Sequence, residues 1–184
     1  MKKGLILIDI QNDYFPGGNM ELVAMEQAAR NAGLLLQEFR EKQFAIFHIQ
    51  HISTRPGATF FLPGTRGVEI HKSVAPQQDE VIIKKYYPNA FRDTDLLGAV
   101  KRAEVDEAVI CGAMTHMCVD ATTRAAFDFG FRCTVIEDAC ATRNLEHGGI
   151  IVEANKVHAA FMAALAMPYA KVISANEFIG KRRR

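Results

Sequence analysis

Residues 107–140 read EAVICGAMTHMCVDATTRAAFDFGFRCTVIEDAC, and their pattern decides the fold. Glu107 to Ala113 is almost wholly apolar, as expected of a strand buried on both faces of a parallel sheet. The apolar run from Ala108 ends in a turn that includes Gly112, and from Val119 to Phe129 the apolar residues recur at helical spacing. Phe131 to Glu137 is a further apolar run. Strand, turn, helix and strand make one crossover unit of a parallel sheet. Cys118 stands where the helix begins. The helix dipole and unpaired backbone N–H groups there favour a thiolate, so Cys118 is a candidate nucleophile. The competing reading is a small buried hydrophobe, the common state of a free cysteine.

The same alternation extends in both directions. Gly4 to Ile10 is an apolar strand broken only by Asp9 near its carboxyl end, and Met20 to Lys42 carries apolar residues at spacings of three and four. Phe44 to Gln50 and Val81 to Lys84 or Lys85 read as strands, Asp95 to Arg102 as a helix. Gly149 to Ala166 reads as a long helix and Ala170 to Ser174 as the sixth strand. Six apolar strands with helical crossovers predict an α/β fold, a mainly parallel sheet with helices on both faces. Residues 51–78 contain Pro56, Gly57, Pro63, Gly64, Gly67 and Pro76 with little periodicity, which marks a long loop of functional type, such as a substrate lid.

At 184 residues the chain suits a single domain spanning 1–184. Four of its 22 basic residues are Lys181, Arg182, Arg183 and Arg184, so the body is mildly acidic against 21 acidic residues. No nucleic-acid partner is expected, because phosphate binding needs clustered positive charge. The basic tail reads as a solvated end. The apolar run after Lys2 and Lys3 is cut short by Asp9, too early for a signal peptide or a membrane span, so a cytoplasmic protein without a membrane partner is expected. Cys111, Cys118, Cys133 and Cys140 lack the close pairs of a zinc site and are expected to be reduced.

Ligands of open parallel sheets bind beyond the carboxyl ends of the strands. Asp9, the Lys84/Lys85 pair and Cys118 all fall at such ends, bringing a base, a cation and a nucleophile to one crevice. An Asp finishing an apolar strand is hard to dismiss as incidental, because burying an unpaired carboxylate is costly.

LILIDIQNDYF (5–15), KYYPNAFRDTDL (85–96), VICGAMTHMCVDATTRAAFDFGF (109–131) and VIEDACAT (135–142) together resemble the isochorismatase-like cysteine hydrolase superfamily, in family order along nearly the whole chain. The resemblance implies a three-layer α-β-α fold on a six-stranded sheet and a catalytic triad of Asp, Lys and Cys. Asp9 and Cys118 match two members. Lys85, six residues before Phe91, matches the third without a gap, whereas Lys84 needs an insertion. The resemblance also implies a cis peptide between Ala113 and Met114, with the backbone N–H groups of Met114 and Cys118 forming an oxyanion hole. It further implies a homo-oligomer, a dimer or tetramer, and the apolar circumference of IVEANKVHAAFMAALAM (151–167) agrees with that.

Nicotinamidases of this superfamily carry an Asp and two His after the second strand as metal ligands. HIQHISTRPGATFF (48–61) supplies His48 and His51 in a different arrangement, so no catalytic metal and no cofactor are expected, with His48 directed into the core or an interface. Isochorismatases that cleave a vinyl ether lack the cysteine. Cys118 therefore favours C–N bond hydrolysis of a small, flat, largely apolar amide or carbamoyl compound through a thioester. Phe15, Phe60, Phe61, Tyr86, Phe91 and His116 are the candidate pocket residues. Two other classes fit the architecture: a phosphoacceptor-type binding domain using Asp9, Asp13 and a lysine, and a thiol redox protein pairing Cys118 with Cys111.

Overall fold

The computed structural model describes residues 1–180; the basic tail lies outside the described residues. The strands are β1 (Lys3–Ile8), β2 (Ala45–His51), β3 (Val81–Lys85), β4 (Glu107–Ala113), β5 (Arg132–Ala141), β6 (Leu145–His147), β7 (Ile150–Val152) and β8 (Lys171–Ile173). The helices are α1 (Met25–Glu41), α2 (Leu96–Arg102), α3 (Asp120–Asp128), α4 (Ala154–Leu165) and α5 (Ala175–Ile179). Six strands form one sheet in the order β3-β2-β1-β4-β5-β8, with every pairing parallel. The chain leaves β1 in one direction, through β2 to β3, and returns to β4 to build the other half. That reversal between β1 and β4 is the switch point at which a crevice opens.

Helix α1 packs with α5 on one face, and α3 packs with α4; the right-handed rule for parallel crossovers assigns α2 to the face of α3 and α4. The faces are covered because the central strands are apolar on both sides. Leu5 to Ile8 and Ala108 to Cys111 are all buried, and each fully buried Leu or Ile contributes roughly 1.5–3 kcal/mol. From the α1 side, Ala28, Ala29, Ala32, Leu35, Leu36 and Phe39 close the core.

The main differences from expectation are three boundaries and one added helix. Helix α1 starts at Met25 rather than near Met20, because Ala24 is left-handed (φ 60°) and Val23 pairs with Thr142 instead. Strand β5 runs past Glu137: after an irregularity its partners resume as Gly112 with Cys140 and Ala113 with Ala141, and the charges of Glu137 and Asp138 had masked the continuation. Ile150 to Val152, read as the start of a helix, pair antiparallel with β6, and Glu153 is extended before α4. Helix α5 was not anticipated; Ser174 caps it by accepting from the Glu177 N–H. No helix among the described residues is long and apolar enough to cross a membrane.

Candidate active site

Four side chains from four elements meet beside the switch point. Asp9 follows β1 directly, His51 ends β2, Lys85 ends β3, and Cys118 lies in the single π-type turn Thr115–Val119 that joins β4 to α3. His51 and Lys85 are register partners in adjacent parallel strands, so their side chains share a face. Along β3, Ile83 and Lys85 point inward and Ile82 and Lys84 outward, which leaves Lys84 exposed and Lys85 completely buried. The Lys85 ammonium has three N–H donors and meets three acceptors: Asp9 Oδ2 at 2.7 Å, His51 Nδ1 at 2.8 Å and Cys118 Sγ at 3.2 Å. The second Asp9 oxygen, Oδ1, is buried with no hydrogen-bond partner. A carboxylate oxygen of Asp9, a ring nitrogen of His51 and Cys118 Sγ all lie within 4.8 Å of one another.

Electrostatics fix the protonation states. Burial opposes the charge on Lys85, yet the Asp9 carboxylate, with the hydrogen bond to Cys118 beside it, outweighs burial and raises the ammonium above its usual range. Burial drives His51 down to about 4, with Lys85 and Arg55 adding to the depression against the pull of Asp9. His51 is therefore neutral at pH 7, accepts at Nδ1 and carries its proton on Nε2. Burial also pushes the Cys118 thiol up, and the Asp9 charge adds to the effect while Lys85 opposes it. The expectation of a resting thiolate is thus corrected: desolvation and the carboxylate outweigh the helix end, and α3 proper begins only at Asp120. The resting group is a thiol beside a carboxylate with a free oxygen.

The scaffold holds these groups by local means. Asp9 adopts a left-handed φ of 51°, a turn that Asp tolerates better than most residues. Gln11, fully buried, donates from Nε2 to the carbonyls of His51 (2.9 Å) and Val68 (2.8 Å) and accepts from the His51 N–H (2.8 Å). One side chain thereby ties the end of β1 to the end of β2 and to the long loop. Asp13 accepts from the N–H and the amide of Asn19 and from the N–H of Phe61. Its carboxylate is committed to the loop, away from any acidic pair with Asp9. The Ala113–Met114 peptide is cis, and the Met114 carbonyl accepts from Met117 and Val119.

Above Cys118 opens a cleft of about 350 Å³, walled by Tyr14, Phe60 and Phe61, floored by Met114, Met117 and Cys118, and bordered by Arg55 and Arg143. Of the six candidate pocket residues, Phe60 and Phe61 line it. The other four do not. Phe15 stacks on His71 at 3.6 Å, Phe91 packs among Phe129 and Phe131, Tyr86 points to solvent at 44% exposure, and His116 bonds Thr142 Oγ1 at 2.6 Å. Aromatic identity alone does not distinguish lining from core. Tyr14, His51, Arg55 and Arg143 were not among the candidate pocket residues. For His51, its place at the end of an apolar strand was the available signal.

His48 Nε2 bonds Glu80 inside the fold at 2.9 Å, as expected of a core histidine. The Asp9, His51 and Cys118 donors have the types of a metal site, but the Lys85 ammonium touches all three residues and occupies the cationic position itself. Cys111 is fully buried and its thiol is pushed well up by burial, which leaves it unfit as a resolving partner.

The chain matches the Isochorismatase domain family over residues 3–177. It is 50% identical over 179 residues to the isochorismatase family protein YddQ of Bacillus subtilis, covering 97% of this chain and 99% of that protein. A crystal structure from Oleispira antarctica, described as an isochorismatase hydrolase, superposes with a TM-score of 0.94 at 49% identity, covering 97% and 96% of the two chains. A nicotinamidase of Acinetobacter baylyi is 26% identical over 170 residues, covering 74% and 79%.

Proposed function

This chain belongs to the isochorismatase family of hydrolases, and from that premise we propose that it is a cysteine-dependent hydrolase cleaving a C–N bond of a small amide or carbamoyl compound. The observation that carries this reading is the Lys85 ammonium bridging Asp9 and Cys118, with Asp9 Oδ1 unpartnered and Cys118 on the floor of the cleft. The amide preference is also supported by the nicotinamidase relative.

In the proposed sequence, Asp9 Oδ1 takes the proton of the Cys118 thiol as Sγ attacks the substrate carbonyl carbon. Lys85 keeps its charge throughout, offsetting first the carboxylate and then the sulfur. The backbone N–H groups of Met114 and Cys118 receive the developing oxyanion. Asp9 returns the proton to the departing nitrogen, the C–N bond breaks, and a thioester to Cys118 remains. Asp9 then takes a proton from water, whose oxygen attacks the thioester; the acid is released and the proton goes back to sulfur. No metal or organic cofactor enters this sequence.

Ammonia release from a panel of small primary amides and N-carbamoyl compounds tests the reading. The wild type is expected to turn over at least one class, with Cys118→Ala and Asp9→Asn each slower by about a thousandfold or more, as for residues acting as one catalytic unit. Turnover that survives Cys118→Ala contradicts it.

A further inference from the structure

Two polar atoms beside the cleft lack a protein partner. One is Asp9 Oδ1, the base of the proposed sequence. The other is the Tyr14 hydroxyl, which makes no hydrogen bond among the described residues although Tyr14 is only 2% exposed. A buried tyrosine hydroxyl ordinarily finds a partner. The buried polar side chains around it do: Gln11, Asp13, His51 and Lys85 are each hydrogen-bonded within the protein. The other three tyrosines are placed differently. Tyr86 is exposed, Tyr87 lies under the Arg92 guanidinium at 3.6 Å, and Tyr169 lies under that of Arg124 at 4.4 Å.

The Tyr14 ring is held in place from several sides. Phe61 packs on it at 4.6 Å and Phe60 at 6.0 Å, while its main chain bonds Gln11 and Leu22. Neither phenylalanine offers an oxygen or nitrogen acceptor. Among the described residues, Asp9 Oδ1 is the one side-chain polar atom both sealed from solvent and unpaired, so the Tyr14 oxygen is not sealed in. It opens onto the cleft that Tyr14 lines together with Cys118. The reacting groups are close by. Burial does most to raise the ionisation of the phenol, and the charges of Cys118 and Asp9 add to it, which keeps the group a neutral O–H donor at pH 7.

We propose that Tyr14 is a specificity-determining residue whose hydroxyl donates a hydrogen bond to an acceptor atom of the substrate near the scissile carbonyl group. That role rests on the hydrolase reading for what Cys118 attacks, and it amends the expectation of a largely apolar substrate. The favoured class is an amide bearing an ether oxygen, a second carbonyl or an aromatic nitrogen close to the scissile carbon, with its apolar remainder against Phe60 and Phe61. An amide with only carbon at that position leaves the phenol unpaired, and a site built around a hydrogen-bond donor discriminates against such an analogue.

The probes are methoxyacetamide beside butyramide and picolinamide beside benzamide, pairs in which an acceptor replaces carbon at nearly constant shape. They are titrated by calorimetry into the Cys118→Ala protein, with and without Tyr14→Phe. The acceptor-bearing member is expected to bind about threefold to tenfold more tightly, the worth of one neutral hydrogen bond. Tyr14→Phe removes only the oxygen. It should erase the preference and leave the Tm unchanged or raised, because a hydroxyl without a protein partner does not stabilise the fold. A preference in either pair that Tyr14→Phe erases supports the role. Equal affinities within both pairs, a preference that survives Tyr14→Phe, a lowered Tm in that variant, or binding of no probe overturns it. Ammonia release by the wild type is read separately. Selective binding without release would leave the donor standing and remove the hydrolase reading, whereas release from butyramide and benzamide with the same kcat/KM as from their partners would do the reverse.

Discussion

The Lys85 ammonium is fully buried, with every proton placed on an acceptor. Lys85→Met would leave the Asp9 carboxylate buried without its cation, and loss of one partner of such a pair costs about 3–5 kcal/mol. A large drop in the urea midpoint is expected together with loss of turnover. Lys84→Ala, one residue away on the solvent side, should change stability by no more than about 0.5 kcal/mol and leave activity intact. Comparing the two variants by denaturation and by ammonia release checks the assignment. His51→Leu removes one acceptor from the ammonium and should cost about 1–3 kcal/mol, the penalty for an unsatisfied buried donor. Asp9, Lys85 and Cys118 were legible in the sequence from their position at strand ends and from family resemblance. The third acceptor is less so: in the sequence His51 reads only as a candidate metal ligand, since nothing in a linear sequence says that its ring faces a lysine rather than an ion.

At the scale of elements, the crevice depends on close approach of β1 and β4 just before the turn. Gly112 has φ +123°, and a Cβ there would lie 2.0 Å from the Ile8 carbonyl oxygen in the facing strand. Gly112→Ala should therefore destabilise the fold by about 3 kcal/mol or more, from strain and displaced backbone together, as thermal unfolding would reveal. Gln11→Ala breaks three hydrogen bonds that join β1, β2 and the loop, at about 1 kcal/mol each. Strand identity and order of appearance were readable because the sheet interior is apolar, whereas several ends were not. Strand β5 continues through Glu137 and Asp138 because its backbone regains β4 as a partner, a tertiary cause without a local signature. The β6–β7 hairpin exposes Ile150 and Ile151, which a periodicity reading assigns to the apolar face of the following helix.

Across the whole molecule, Glu80 ties the end of the long loop to α1 and β2. It accepts from Arg40 Nε (2.6 Å) and Nη2 (2.8 Å) and from the Gln77 N–H, and bonds His48 Nε2. Burial opposes its charge, but Arg40 and these hydrogen bonds hold its carboxyl at about 2, below the usual 4.5. A carboxyl depressed on folding stabilises above its unfolded value and loses that contribution as pH falls toward its folded one. The contribution, about 1–2 kcal/mol after allowance for solvent screening, should fade between those two values and be absent from Glu80→Gln. His51, kept neutral by burial, acts with the same sign between its usual 6.5 and about 4. Helix α4 buries Ala154, Val157, Met162 and Leu165 and leaves Ala159, Ala160 and Ala163 exposed, and light scattering should report a dimer or tetramer, with a monomer overturning the expectation.

The proposed mechanism requires that Cys118 carry the acyl group. Rapid-quench mass spectrometry during turnover of an amide, with peptide mapping, tests it most directly. An acyl adduct on Cys118 is expected, one that hydroxylamine removes and that Cys118→Ala lacks. Steady turnover with no adduct on Cys118, or with an adduct on another residue, would contradict it.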